Sequence, residues 1–506
     1  MKINNFSKIT SNILGSRVTG FIRDVLFANY LGANLLSDAF LFAYRLPNLF
    51  RRIFAEGAVN SVFIPMYVSQ EKENPKLSDE FIWLIFIIFF IITGLLSILV
   101  SIFNYQVISI FAPGFLDNNS QFILASKLLY ITFPFLIFVT LSSVLSSVLN
   151  IKGKFFLPSF LSVVMNSLMI FSLLIFKSES HFPLAWSMIV AGSIQLSLLL
   201  INLTFLKIFW RVSLKGLSAL YSKLVIFFKR FLYSILGSGI VQLNIFISMI
   251  FASLVGQGAI SHIYYADRII DLPFAMVAVA MSITLLPYLS KNILDEEKNG
   301  EAFNQTIVFC YMFALPCTSA IFFLSTDIIQ VLFGRGEFTK SDVLITSRIL
   351  IIYSLSLPAY MIARICNQLF FSYERVDLPV KASIPTFISN FILCIIFYKS
   401  LGVIGLAIAG AFSIWLNVFV QIFFLKRYFY SLYQKIKIID FLKIFKILIG
   451  SFNMSTIILI IGNLSHFNIY FTLFSQILFG IIVFFLSLKL LKLNEYQLIY
   501  KYKKFN

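Results

Sequence analysis

Charge is scarce in this chain: Asp, Glu, Lys and Arg make up 12% of 506 residues, against 59% hydrophobic. A soluble protein of this length does not carry such a balance, so a bilayer is the expected solvent. Cysteine is almost missing. Cys310, Cys317, Cys366 and Cys394 lie in or beside apolar segments without metal-ligand spacing, which leaves packing as small hydrophobes. The three histidines, His181, His262 and His466, stand at segment ends, where interfacial placement is expected. No carboxylate or histidine constellation of the kind a membrane enzyme uses is visible, so no catalytic residue, metal or cofactor is expected. Acidic residues are outnumbered 22 to 40 by basic ones, but the net charge of +18 is dispersed rather than clustered, so nucleic acid is not an expected partner. A cleavable signal peptide is not expected either, because Arg17, Arg23 and Asp24 interrupt the first hydrophobic stretch.

What the chain has in abundance is long charge-free runs, including 81–104, 155–176, 182–206, 231–256, 400–425 and 447–488. Crossing about 30 Å of hydrocarbon takes about 20 helical residues, and the last run is long enough to cross twice. The runs are continuously apolar rather than alternating, which argues for helices over a barrel. The expected fold is an all-α polytopic membrane protein of about fourteen transmembrane helices, among them spans near 10–34, 37–68, 230–256 and 262–290. With the N-terminus in the cytoplasm, most loop lysines and arginines fall on that side, notably the runs from Lys207 to Arg230 and from Lys426 to Lys446. Only Lys177, Arg335, Lys340 and Lys399 are left for the other side, the bias of the positive-inside rule, so both termini are expected to be cytoplasmic.

Offsetting the chain against itself by about 222 to 226 residues aligns "AYRLPN" at Ala43 with "ADRIIDLP" at Ala266, and "IFAPGF" (110–115) with "LFGRGEF" (332–338). The turn "NIKGKFFLP" likewise meets "YERVDLP". Ordered matches at one offset indicate duplication, with repeats of like orientation. The expected organisation is a six-helix lobe over 1–215, a second over 216–430, and two extra helices with a cytoplasmic tail over 431–506.

Nine basic residues fall inside helices: Arg17, Arg23, Arg45, Arg51, Arg52, Lys127, Arg268, Arg348 and Arg364. Each near the bilayer centre costs about 2.5 to 3.5 kcal/mol on insertion scales, so they must face protein or water. Asp38, Arg45 and Arg52 are spaced by seven, with Glu56 four further on, drawing one polar stripe down the second helix. Arg17 and Asp24 share a face of the first helix, where Gly15 and Gly20 allow close approach or local bending. Arg23 and Arg51 lie off these stripes. Arg45, Lys127, Arg348 and Arg364 are expected to be held in ion pairs or to snorkel. For Arg17, Arg23, Arg51, Arg52 and Arg268 the expected role is an excess-positive cavity for an anion, because a guanidinium offers phosphate a bidentate fork.

The segments "SRVTGFIRDVLFANYLGA", "SDAFLFAYRLPNLFRRIFAEGAVNSVFIP", "YYADRIIDLP" and "GRGEFT" closely resemble the MurJ/MviN family of lipid II flippases, over essentially the whole chain. The resemblance implies the multidrug/oligosaccharidyl-lipid/polysaccharide exporter fold. It implies cavity arginines at Arg17, Arg23, Arg51 and Arg268, and acidic site or gating positions at Asp24, Asp38 and Glu56. It further implies alternating access that moves the undecaprenyl-diphosphate-linked peptidoglycan precursor across the bacterial inner membrane, with membrane lipid and cell-wall synthesis proteins as neighbours. Export of another polyprenyl-linked oligosaccharide is the alternative. A carboxylate sodium site is not expected, since 217–256 and 380–426 contain no Asp or Glu.

Overall fold

The structure is a computed structural model and describes residues 3–54, 60–177, 181–438, 440–464 and 468–493. The chain divides into two compact units, 1–261 with 336–338, and 262–335 with 339–506.

In the first unit the chain runs through α1 (Ile3–Leu31), α2 (Leu35–Arg51), α3 (Asn60–Glu73), α4 (Pro75–Ile102) and α5 (Asn104–Phe111). It continues through α6 (Asn119–Thr132), α7 (Phe135–Ile151), α8 (Phe156–Phe176), α9 (His181–Phe205) and the 42-residue α10 (Leu214–Val255). Helices are the only open-ended way to satisfy every backbone group without water, and their starts are marked by short polar caps. Asn34 forms a capping box with Ser37, Asn74 precedes Pro75, and Asn118 caps α6. Aromatic and aliphatic side chains from α3, α4, α7, α9 and α10 form the core, with Phe63, Phe81, Phe89, Leu145, Leu203, Phe227 and Phe231 buried.

Helix α11 (Ala259–Phe274), whose residues 259–261 still belong to the first unit, carries the chain into the second and passes through a π-helical turn, Ala275–Val279, into α12 (Ala280–Lys291). There follow α13 (Glu296–Leu332), α14 (Lys340–Ser372), α15 (Asp377–Ser400), α16 (Gly402–Tyr428), α17 (Tyr430–Lys435), α18 (Phe441–Leu464) and α19 (Ile469–Leu490). Amide side chains stitch these apolar helices together: Asn417 of α16 donates to Thr386 Oγ1 of α15 at 2.9 Å, and Gln421 of α16 to Asn367 Oδ1 of α14 at 3.1 Å. The last two helices dock through a Ser319–Ser455 hydroxyl contact of 2.5 Å between α13 and α18, and Gln476 of α19 reaches Ile458 O at 3.0 Å.

Among the described residues, ten helical stretches are long and apolar enough to cross a membrane. The other four expected spans coincide with α1, α2–α3, α10 and α11–α12, the helices that carry most of the intramembrane charge or are interrupted. The span expected over 37–68 is not one helix. It is π-helical at Arg52–Phe54 and α-helical from Asn60, with 55–59 outside the described residues. The break recurs at the expected repeat distance, since Arg52 and Ala275 open the two π segments. The basic run from Lys207 is not all loop either. Ser213 caps α10, whose Leu220, Leu224, Phe227 and Phe231 follow helical spacing into the core while Lys215, Lys223 and Lys229 point elsewhere.

Candidate functional site

Helix α1 is unbroken through Gly15 and Gly20, so these glycines serve close approach rather than bending. A Cβ on Gly20 would stand 3.3 Å from Asn166 Nδ2 of α8, and one on Gly15 would stand 3.8 Å from Val163. Asn166, a lone amide halfway along an apolar helix, donates to Ser16 O at 3.1 Å and Thr19 Oγ1 at 3.2 Å. Its Oδ1 accepts from Arg23.

Arg23 is buried with 6% exposure. Its Nη1 donates to Asn166 Oδ1 at 2.8 Å and to the Tyr44 hydroxyl at 3.0 Å; Nη2 and Nε donate to Asp24 Oδ1 at 2.7 and 3.0 Å. The guanidinium also lies over the rings of Phe27 and Tyr44, at 5.3 and 5.5 Å. Fork geometry explains why arginine stands here: one planar group reaches three helices, α1, α2 and α8, which an ammonium cannot do. Asp24 therefore pairs with its chain neighbour, not with Arg17 one heptad back. Arg17 is exposed and, among the described residues, has no hydrogen-bond or ion-pair partner.

On α2 the stripe separates. Asp38 is buried, Arg45 is half-buried and Arg52 is exposed. Arg51 is half-buried, and its Nε donates to Asn48 Oδ1 at 3.2 Å. Arg51 and Arg52, adjacent in the chain, stand about 100° apart around the helix and so point to different faces, and the π turn that opens at Arg52 shifts the register beyond it. Glu56 lies outside the described residues. The structure thus brings Arg23 and Asp24 into one cluster, and leaves Asp38 in another.

Asp38 receives the Gly258 N–H at 2.8 Å on Oδ2, and the Ser261 N–H and hydroxyl at 2.8 and 2.6 Å on Oδ1. A carboxylate thus caps the start of α11, where free amides and the helix dipole favour an anion. Ser37 Oγ touches Ser261 Oγ at 2.9 Å. Two backbone crossings lie in the same unit. Gly114 N donates to Ser253 Oγ at 3.2 Å, and Glu337 N to Asn29 O at 2.9 Å. A Cβ on Gly114 would fall inside 3.0 Å of Ser253 O, and one on Gly336 inside 3.0 Å of Asn29 O. The two crossings fall at matched positions of the chain: Gly114 and Gly336 correspond in "IFAPGF" and "LFGRGEF", and Asn29 and Ser253 are separated by nearly the same interval.

In the second unit Arg268 faces Asp271 at 3.7 Å, one turn on, and lies over the Tyr264 ring at 4.6 Å. His262 is buried, not interfacial; its Nε2 meets Asp342 Oδ1 at 2.9 Å, and Asp342 also closes the capping box with Thr339. Sequence reasoning missed His262, Tyr44, Asn166 and Ser261. Only Asn166 carried a signal, as an amide inside a charge-free span.

Buried ionic groups on helices that otherwise face hydrocarbon define a polytopic α-helical membrane transporter. A model of the family described as lipid II flippase MurJ matches residues 27–480. The probable lipid II flippase MurJ of Buchnera aphidicola subsp. Acyrthosiphon pisum (strain APS) is 35% identical over 419 residues, covering 79% of each chain. That of Rickettsia prowazekii (strain Madrid E) is 32% identical over 95% of this chain and 96% of its own. A solved lipid II flippase MurJ in an inward closed conformation superposes with a TM-score of 0.83 at 28% identity, over 95% of this chain and 97% of that one. An inward-facing multidrug-resistance MATE transporter of the MOP superfamily shares the fold alone, with a TM-score of 0.63 at 15% identity, over 83% of this chain and 96% of that one. The chain belongs to the lipid II flippase MurJ family, and is a multi-pass protein of the bacterial inner membrane.

Proposed function

We propose that this chain flips lipid II, the undecaprenyl-diphosphate-linked peptidoglycan precursor, from the inner to the outer leaflet by alternating access and without covalent chemistry. The observation that carries the reading is Arg23, a buried guanidinium on an apolar helix pair that donates to the adjacent Asp24 carboxylate. A diphosphate oxyanion is the natural competitor for that fork. Arg17, Arg51, Arg52 and Arg268 supply further cationic contacts to the headgroup. Asp24 and Glu56 limit how tightly it is held, and Asp38 fastens the α2–α11 crossing.

Both termini face the cytoplasm, and cell-wall synthesis proteins are the expected neighbours. The duplicated lobes are 1–215 and 216–430, with 431–506 added. They differ from the compact units because α10 packs against α3, α4 and α5. The supporting test is replacement of a depleted resident flippase in cells. Wild-type chain restores growth, whereas Arg23→Ala and Arg268→Ala fail at equal expression; full rescue by both variants would refute charge capture.

A further inference from the structure

Away from these clusters, a cleft of about 440 Å³ opens where α4, α6 and α9 meet, lined by Ser101, Asn104, Ser126, Lys127, Tyr130 and Phe182. Lys127 is the one charged residue between Asn119 and Ile151. It is exposed and, among the described residues, has no ion-pair or hydrogen-bond partner. A cation left facing hydrocarbon is costly, and a snorkelling lysine lowers that cost by placing its ammonium at the headgroup level. Eight residues from the start of α6, Lys127 stands about 12 Å along the helix from its end. Exposed aromatic side chains stand at or near the ends of the surrounding helices, with Phe103 closing α4, Tyr105 opening α5 and Trp186 in the second turn of α9, the placement of an interfacial belt.

The walls suit a headgroup rather than bulk water. Asn104 Nδ2 donates to Ser126 O at 3.0 Å, while its Oδ1 is buried and receives no hydrogen bond. The hydroxyls of Ser101, Ser126 and Tyr130 border the same space, and Ile131 and Phe182 close it with apolar surface. One positive charge beside hydroxyl and amide groups, with apolar surface alongside, is complementary to one phosphodiester with polar substituents and acyl chains.

We propose that this cleft binds the headgroup of an acidic glycerophospholipid, with its phosphate on the Lys127 ammonium and its hydroxyls among Asn104, Ser126 and Tyr130. The site needs only the membrane setting and is independent of what the chain transports.

The full-length protein in nanodiscs is exposed to photoreactive phosphatidylglycerol or photoreactive phosphatidylcholine, and labelled peptides are mapped by mass spectrometry. Peptides containing 101–104, 126–131 and 182–186 are expected to label about fivefold more with phosphatidylglycerol, the loss of one lysine contact in Lys127→Met to abolish the excess, and Lys127→Arg to keep it. Lys127→Met replaces a charge by an apolar chain on a lipid-facing helix, and an unchanged melting curve identifies it as folded; Lys127→Gln serves as the second variant. Equal labelling by both lipids, or unchanged labelling in Lys127→Met and Lys127→Gln, overturns the proposal. Displacement by lipid II at lower concentration than by unlabelled phosphatidylglycerol would assign the cleft to the transported lipid instead.

Discussion

The paired glycine crossings give a quantitative handle on closure of one face of the first unit. In Gly336→Ala the new methyl would fall inside 3.0 Å of Asn29 O, at a backbone φ of +60°. Restoring a carbon–oxygen separation near 3.5 Å requires the segments to part by about 1.4 Å, which breaks the 2.9 Å Glu337 N to Asn29 O hydrogen bond. Losing that bond costs about 1 kcal/mol and holding alanine at positive φ a further 1 to 2 kcal/mol. Together these are about 2 to 3 kcal/mol, or about 30- to 150-fold in the equilibrium between closed and open crossings. Gly114→Ala has no positive φ and loses only the crossing, about 1 to 2 kcal/mol. The assay is oxidative cross-linking between Asn29→Cys and Glu337→Cys; three of the native cysteines are buried, so background is low. Gly94→Ala and Gly410→Ala are controls, because a Cβ at either meets nothing within 4 Å. Cross-linking should collapse in Gly336→Ala, fall in Gly114→Ala and hold in the controls. Equal yields in all four would refute the reasoning.

Three other outcomes are expected. Arg23→Ala removes the guanidinium paired with the buried Asp24 and should destabilise the protein by about 3 to 5 kcal/mol in thermal unfolding, with Arg23→Ala/Asp24→Ala recovering part of the loss; strictly additive effects would show that the two are not coupled. Asp38→Asn keeps the shape but removes the charge accepting three donors, and should lower cross-linking between Ser37→Cys and Ser261→Cys several-fold; an unchanged yield would mean that the cap does not hold the crossing. Hydrogen bonds from Lys223 to Glu73 and from Lys298 to Asp295 hold these carboxyls below their usual range. Their contribution is present above the unfolded values near pH 4 and is lost as pH falls through the lowered ones. Glu73→Gln/Asp295→Asn should therefore flatten the acid side of the melting-temperature profile, and an identical profile would contradict the pairing.

Hydropathy made the fold legible because most spans are uninterrupted apolar helices that need no long-range information. It failed where tertiary packing decides. Leu214 to Arg230 reads as a basic loop by charge, yet its leucines and phenylalanines at helical spacing bury against α3 and α4, extending α10 past the membrane run. At the site, arginine positions were visible as charges in apolar helices, but their partners were not. Heptad arithmetic joined Asp24 to Arg17, while the adjacent Arg23 folds back onto Asp24 and finds Asn166 on a helix more than a hundred residues away. The π turn at Arg52–Phe54 likewise shifts the register of any stripe carried beyond Arg52. His262 gave no signal because its partner, Asp342, is brought to it only by the packing of α14.

The most direct test of the central claim is translocation by the purified protein in vesicles. Lipid II placed in one leaflet is followed by its accessibility in the other, with wild type, Arg23→Ala and Arg268→Ala, each with and without an imposed potential. Wild type should move lipid II, faster under a potential that favours the change in orientation of the charged cavity, and both variants should fall to the protein-free rate. Translocation by both variants at the wild-type rate, or none by folded wild type under any potential, would contradict the account.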